Sequence, residues 1–150
     1  MRITVIGASG MVGSAAPDEA LRRGHSVTAV ARQPPAHPAR PGVTAHSVAA
    51  DDAAMRPLLA DADAAVVAIR ARPGEDSSVA EATATLLDAA AATGTRLLIV
   101  GGAGPLRTPG APHVRLVDNP DFVPVGARGL ASPRARQQRA AARMPAARLG

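Results

Sequence analysis

No cysteine, tryptophan, tyrosine or lysine occurs in this chain, and one phenylalanine is its whole aromatic content. Without thiols there is no disulfide framework, no thiolate metal site and no cysteine nucleophile, a pattern that fits a cytoplasmic location. Without lysine, a P-loop lacks the side chain that reaches a terminal phosphate. Long apolar runs are missing too. The longest clean one, Ala64 to Ile69, falls far short of the roughly 20 residues that cross a bilayer, so no membrane partner is expected. Residues 1–16 imitate a leader peptide, with Arg2 ahead of a mildly apolar stretch and small residues at 14–16, but three glycines interrupt that stretch and secretion is not expected.

What is present fits one domain: 150 residues, 47% of them apolar. The core must be built from Ala, Val, Leu and Ile. Alanine contributes 36 residues and all 17 basic residues are arginine, a compositional bias that weakens any argument from arginine frequency. The net charge of +5 is unevenly placed. Up to Ala127, 11 Arg face 12 acids; from Arg128 onward there are six Arg and no acid. This divides the chain into a near-neutral domain over 1–124 and an Arg/Ala-rich tail over 125–150. The tail is expected to be disordered or a short helix. Its Arg134, Arg136, Arg139 and Arg143 could touch phosphate, yet without aromatic stacking platforms a nucleic-acid partner is not expected.

From residue 2 to 100, short β-rich runs alternate with helix-like stretches, the pattern of βαβ units around a parallel sheet. The expected strands are Arg2–Ile6, Ser26–Ala31, Val43–Val48, Ala64–Ile69 and Arg96–Val100. The expected architecture is a three-layer α/β/α, Rossmann-like domain with strand order 3-2-1-4-5. A first helix is predicted over Met11–Arg23, kinked or shortened by Pro17, and a second over Asp52–Ala60 with the same difficulty at Pro57. Both prolines would destabilise regular helices. Ser78-Val-Ala-Glu81 reads as a capping box opening a helix with Val79, Ala82, Thr83, Leu86, Leu87 and Ala90 on one face and Gly94 as its stop. Four prolines between Gln33 and Gly42 predict an extended loop, and Gly101 to Pro124 is expected to be a long loop without strand or helix.

The first strand runs into Gly7-Ala-Ser-Gly10-Met-Val-Gly13 and then a helix, the context of a dinucleotide-binding turn. Gly7 suits the sharp turn, Gly10 a close approach of backbone to a pyrophosphate, and Gly13 close packing of helix on sheet. The phosphates would sit on the amides of Ser9, Gly10, Met11 and Val12 at the positive end of the helix. The plainer alternative is a tight strand-to-helix turn with no ligand. At the end of the second strand, an acid would bind the ribose 2′-hydroxyl and a base would tolerate a 2′-phosphate. Arg32 stands there, with no acid between Glu19 and Asp51, so NADP(H) is favoured over NAD(H) unless Arg32 is only a solvated loop residue.

Together with Glu19-Ala-Leu-Arg-Arg-Gly-His25, Val27-Thr-Ala-Val-Ala-Arg32 and Val100-Gly-Gly-Ala-Gly104, this turn resembles the atypical short-chain dehydrogenase/reductases. The group it is most similar to is the NAD(P)H-binding proteins called NADH-flavin reductases, related to NmrA-like and biliverdin reductase B-like proteins. Val114-Arg-Leu-Val-Asp-Asn-Pro-Asp-Phe122 resembles that group's loop after its fifth strand. The resemblance covers about residues 1–124. It implies that Gly7, Ser9, Gly10, Met11, Val12 and Gly13 hold the pyrophosphate and Arg32 the 2′-phosphate. Ile69, Arg70, Gly101 and Gly102 would flank the path from adenosine to nicotinamide. Two departures stand out: Ser47-Val48 replaces a Gly-Asp pair that contacts adenine in the group, and Arg70 replaces a small residue. Beyond Phe122 the similar proteins continue for about a third more chain. The abrupt loss of acids after Val125 suggests a truncation or frameshift, checked by resequencing the locus.

The Tyr-x-x-x-Lys pair of ordinary short-chain dehydrogenases cannot exist here. Hydride transfer to a flavin or quinone asks less of the protein, because the cofactor supplies the hydride and solvent the proton. His113 is the one histidine expected near the nicotinamide, as proton donor or simply as an exposed loop residue; His25, His37 and His46 lack ligand spacing, so no metal is expected. Ser9 has no recognisable His and Asp partners. No catalytic residue is assigned. The readings that remain are a reductase with a flavin- or quinone-type acceptor, a non-catalytic NmrA-like cofactor sensor, and an inactive remnant. Exposed sheet edges in the last case would promote association, and a homodimer is possible.

Overall fold

The β-rich runs marked by the sequence pair in register as one parallel sheet. The computed structural model describes residues 1–33, 40–70, 76–119 and 121–122, with backbone alone at 76–78. Strand β1 (Arg2–Ile6) lies at the centre, between β2 (Ser26–Ala31) and β4 (Ala64–Val67). Outside them lie β3 (Val43–Ser47) and β5 (Arg96–Ile99), giving the order β3-β2-β1-β4-β5, with every pair parallel. This is the order the sequence predicts.

Successive side chains of a strand point to opposite faces, and the two faces are covered by different helices. Val5, Val27 and Ala29 pack with Ala20 of α1 (Ala16–Arg22). Ile6, Val30, Ala65 and Val67 pack with Met55 and Leu59 of α2 (Met55–Ala60) and Leu86 and Ala90 of α3 (Asp76–Thr93). The result is a three-layer α/β/α, Rossmann-like domain whose core contains no buried aromatic side chain among the described residues. Two threonines tie the sheet layer to α2. Thr4 Oγ1 donates to the Leu58 carbonyl at 3.2 Å, and Thr95 Oγ1 to the Leu59 carbonyl at 2.7 Å.

Both proline difficulties are resolved by shortening. Helix α1 begins at Ala16 rather than Met11, and α2 at Met55 rather than Asp52, so Pro17 and Pro57 fall in first turns, where the missing N–H has no helical acceptor to satisfy. Neither proline interrupts a helix interior. The expected capping box is also corrected, because α3 begins at Asp76 and Ser78 lies inside its first turn. The apolar face is as expected: Ala82, Thr83, Leu86 and Ala90 are buried, and Gly94 ends the helix with a φ of +71°.

The segment after β5 departs most from expectation. Instead of a long irregular loop it forms a hairpin, β6 (Arg107–Thr108) and β7 (Ala111–Arg115), followed by a 3₁₀ turn over Leu116–Asp118. Pro109-Gly110 is the reason. Proline pre-sets a turn and Gly110, at φ +79°, accepts the left-handed geometry that the reversal needs. Leu116 N–H to Leu106 O (2.8 Å) and Val117 N–H to Gly104 O (3.0 Å) then bind the hairpin to the chain leaving β5. The proline loop's centre (34–39), the segment 71–75 and the tail from 123 lie outside the described residues.

Leu86 is fully buried between α3 and the sheet, so Leu86→Ala is expected to destabilise the fold by about 2–5 kcal/mol in urea unfolding followed by circular dichroism. Asp63 accepts the Arg2 amide at 2.7 Å, and its own amide donates to the Arg2 carbonyl at 2.9 Å. That amide bond, with smaller help from the Arg2 charge, lowers the Asp63 pKa. A carboxylate with a lowered folded pKa stabilises the fold above its unfolded pKa, and the effect disappears as pH falls through the folded value. The stability gap between wild type and Asp63→Asn is therefore expected to be full at neutral pH and to close on acidification through the carboxylate range.

Candidate cofactor-binding site

The chain leaves β1 through Gly7 at φ +88°, where the amides of Gly7 and Ala8 both donate to the Val30 carbonyl of β2, at 2.8 and 3.1 Å. On the other side the turn meets the end of β4. A Cβ on Gly7 would stand 2.5 Å from the Ala68 carbonyl oxygen and 2.9 Å from its carbon, closer than real contacts allow. The Ala68 amide in turn donates to the Ile6 carbonyl at 2.8 Å. Glycine is therefore required here both by φ and by space. Gly13 is buried, and a Cβ on it would collide with the Gly7 carbonyl; at Gly10 a Cβ would lie 3.2 Å from that same oxygen. The three glycines thus fold the turn back on itself around one carbonyl group.

Within the turn, the Gly10 amide donates to Gly7 O at 2.9 Å, the Ser14 amide to Gly10 O at 2.9 Å and the Ala15 amide to Val12 O at 3.2 Å. The Gly10 amide is thereby committed to the turn and is not one of the donors open to a phosphate, contrary to the sequence expectation. The amides of Ser9, Met11, Val12 and Gly13 make no hydrogen bond among the described residues. They belong to successive turns ahead of α1, not to its first turn, because Pro17 delays the helix to Ala16. Clustered turn amides can attract an anion through their own partial charges, without a helix macrodipole. Met11 is 86% exposed and Val12 47%, which leaves an apolar surface beside these donors.

The other expected site residues fall at the same end of the sheet. Arg32 follows β2 and is exposed, and its carbonyl accepts the Ser47 hydroxyl at 3.0 Å. The Val48 amide donates to the neighbouring Ala31 carbonyl at 3.0 Å, so Ser47-Val48, which stands where the similar group carries a Gly-Asp pair, serves to fix the end of β2. Ile69 packs against the core cluster under α2 and α3, and Arg70 after it is exposed. Gly101 and Gly102 are exposed beyond β5, and a Cβ on Gly101 would meet nothing within 4 Å. β1 sits where the strand order reverses, the switch point at which open α/β sheets leave a crevice for ligands.

His113 is an exposed residue on β7. No group of three or more His, Cys, Asp or Glu side chains able to hold a metal occurs among the described residues. Asn119 was not anticipated. Its side-chain amide donates to Thr108 Oγ1 at 3.4 Å and its Oδ1 accepts the Asp121 amide at 2.9 Å, while Arg115 forms a two-point ion pair with Asp118 at 2.6 and 3.1 Å. The Val114–Phe122 stretch thus holds the hairpin by its own polar contacts. On α1, the paired guanidinium groups of Arg22 and Arg23 lower the Glu19 pKa at the exposed surface.

Residues 7–139 match the family described as NAD(P)H-binding. The uncharacterized protein YwnB of Bacillus subtilis (strain 168) is 39% identical over 127 residues, which span 81% of this chain and 57% of YwnB. A Streptococcus pneumoniae TIGR4 structure named "putative NADH-flavin reductase" superposes with a TM-score of 0.78 at 30% identity, covering 93% of this chain and 65% of that one. A Burkholderia pseudomallei structure named "putative exported protein" gives 0.74 at 34% identity, covering 91% and 64%. The chain therefore spans less than two thirds of the length of these relatives. No described helix is long and apolar enough to cross a membrane. With the glycine turn inside the matched region, the chain belongs to the NAD(P)H-binding family.

Proposed function

We propose that this chain binds NADP(H) in preference to NAD(H) and serves hydride transfer to a planar acceptor of flavin or quinone type. The observation that carries the reading is the Gly7–Gly13 turn, in which four amides have no acceptor among the described residues and Gly10 sits tight against the Gly7 carbonyl. A pyrophosphate suits such a turn, because the open amides of Ser9, Met11 and Val12 can donate to its oxygens and Gly10 adds no side chain to the turn. Arg32, at the end of β2, supplies the charge suited to a 2′-phosphate. The nicotinamide supplies the hydride, and the protein's part is to bind and orient it.

Acceptor chemistry follows from what the residues can do. With no Tyr and no Lys anywhere in the chain, the usual proton-relay pair for carbonyl reduction is absent, whereas flavin or quinone reduction takes its proton from water. The exposed side chains of Met11 and Val12 give a planar acceptor an apolar surface next to the cofactor amides. The likeness to the Streptococcus pneumoniae protein supports the same class of acceptor.

Calorimetric titration with NADPH and NADH tests the binding half, since the absence of Trp and Tyr leaves no protein fluorescence to follow. Saturable binding with NADPH preferred is expected. Arg32→Ala should weaken NADPH about 10- to 100-fold, equivalent to roughly 1.4–2.7 kcal/mol, and leave NADH nearly unchanged. Gly10→Val should abolish binding of both while circular dichroism shows the fold retained. Equal affinity of wild type for the two cofactors would contradict the Arg32 assignment. Oxidation of NADPH in the presence of FMN or a quinone tests the second half; binding without turnover would instead favour cofactor sensing.

A further inference from the structure

A long guanidinium side chain loses rotamer freedom when it meets a phosphate, so its contribution to binding depends on how much of the ordering precedes the ligand. For Arg32 that ordering starts at the backbone. β2 ends at Ala31, which makes Arg32 the first residue beyond the strand, followed at once by Gln33 and the proline-rich stretch. A residue in that place would ordinarily be held by the strand on one side only.

The neighbouring strand supplies the second hold. The parallel register sets Ala31 beside Ser47, the last residue of β3. The Val48 amide donates to the Ala31 carbonyl at 3.0 Å, and Ser47 Oγ reaches one residue further along to donate to the Arg32 carbonyl, also at 3.0 Å. The Ala31 carbonyl lies in the planar peptide unit before the Arg32 Cα, and the Arg32 carbonyl in the unit after it. With both planes held, φ and ψ of Arg32 are set together, and with them the direction in which its side chain leaves the sheet. The first hold comes from main chain, which any residue but proline at 48 could provide. The second comes from a hydroxyl, which glycine or alanine at 47 would lack.

We propose that Ser47 is a positioning residue for cofactor selectivity: by holding the Arg32 carbonyl it aims the guanidinium at an adenosine 2′-phosphate without touching the cofactor itself. The role rests on the assignment of Arg32 to that phosphate. Without the hydroxyl, the peptide plane after Arg32 is released, and binding NADPH must order it. NADH carries no 2′-phosphate, so its affinity does not depend on where the guanidinium points. An exposed hydroxyl-to-carbonyl bond between neutral groups sets the size of the effect at about three- to tenfold.

The test is calorimetric titration of the full 150-residue chain with NADPH and with NADH, comparing wild type, Ser47→Ala, Ser47→Thr, Arg32→Ala and the double variant Arg32→Ala, Ser47→Ala. Ser47→Ala is expected to weaken NADPH by that about three- to tenfold factor and to leave NADH nearly unchanged. Ser47→Thr, which keeps a hydroxyl on a residue suited to a strand, should retain the NADPH affinity of wild type. Once Arg32 is Ala, the further change at Ser47 should have no effect on either cofactor. General loosening of β3 would instead weaken both cofactors together, and a hydroxyl that met the phosphate itself would still be felt without Arg32. Either result overturns the positioning role, as does wild-type NADPH affinity in Ser47→Ala. Failure of the underlying assignment is read separately: if wild type binds the two cofactors equally, or Arg32→Ala changes nothing, the Arg32 assignment falls and the Ser47 role with it.

Discussion

The candidate site depends on the passage of the Gly7 backbone between two carbonyl groups. Val30 O of β2 holds the Gly7 and Ala8 amides, and Ala68 O of β4 occupies the space that any side chain on Gly7 would need. Both carbonyls are placed there by the parallel register of the strands on either side of β1. The turn is consequently fixed by the sheet. Its amides stay oriented without help from a long helix, which matters because Pro17 postpones α1 to Ala16 and leaves it only seven residues long.

That dependence explains which parts of the site can be read from sequence. The three glycines announce themselves by spacing, and the alternation of β-rich and helix-like stretches yields the strand order directly. The commitment of the Gly10 amide to Gly7 O carries no local signal, and neither does the contact between Gly7 and Ala68, sixty-one positions along the chain. The first is a turn bond between residues three apart, visible only once the turn has folded, and the second arises from how distant strands register. The Ser47 hydroxyl on the Arg32 carbonyl belongs with them, since its meaning depends on β3 lying beside β2. By contrast, the β6–β7 hairpin did carry a signal. Pro109-Gly110 between two short extended runs is a turn dipeptide, masked by the density of glycine and proline around it.

The same core explains both economy and exposure. Ala, Val, Leu and Ile fill two layers around β1, with the short α1 on one face and α2 together with the longer α3 on the other covering β1, β2 and the inner part of β4. Small side chains let helices approach closely, but seven- and six-residue helices span little of a five-stranded sheet. At β5 the apolar pattern continues past the described helical cover, which is why Leu98, Ile99 and Val100 emerge at the surface. The glycine turn and the exposed apolar residues of β5 belong to one sheet, the turn at the carboxyl end of β1 and the apolar residues along the far strand.

The most direct test of the central claim is the ¹H–¹⁵N amide spectrum of the chain titrated with NADPH. If the turn cradles a pyrophosphate as its geometry indicates, the amides of Ser9, Met11 and Val12 will move downfield together and saturate, while Gly10, already bonded to Gly7 O, will move little. Saturable binding that leaves those three amides in place and shifts residues elsewhere would contradict the account.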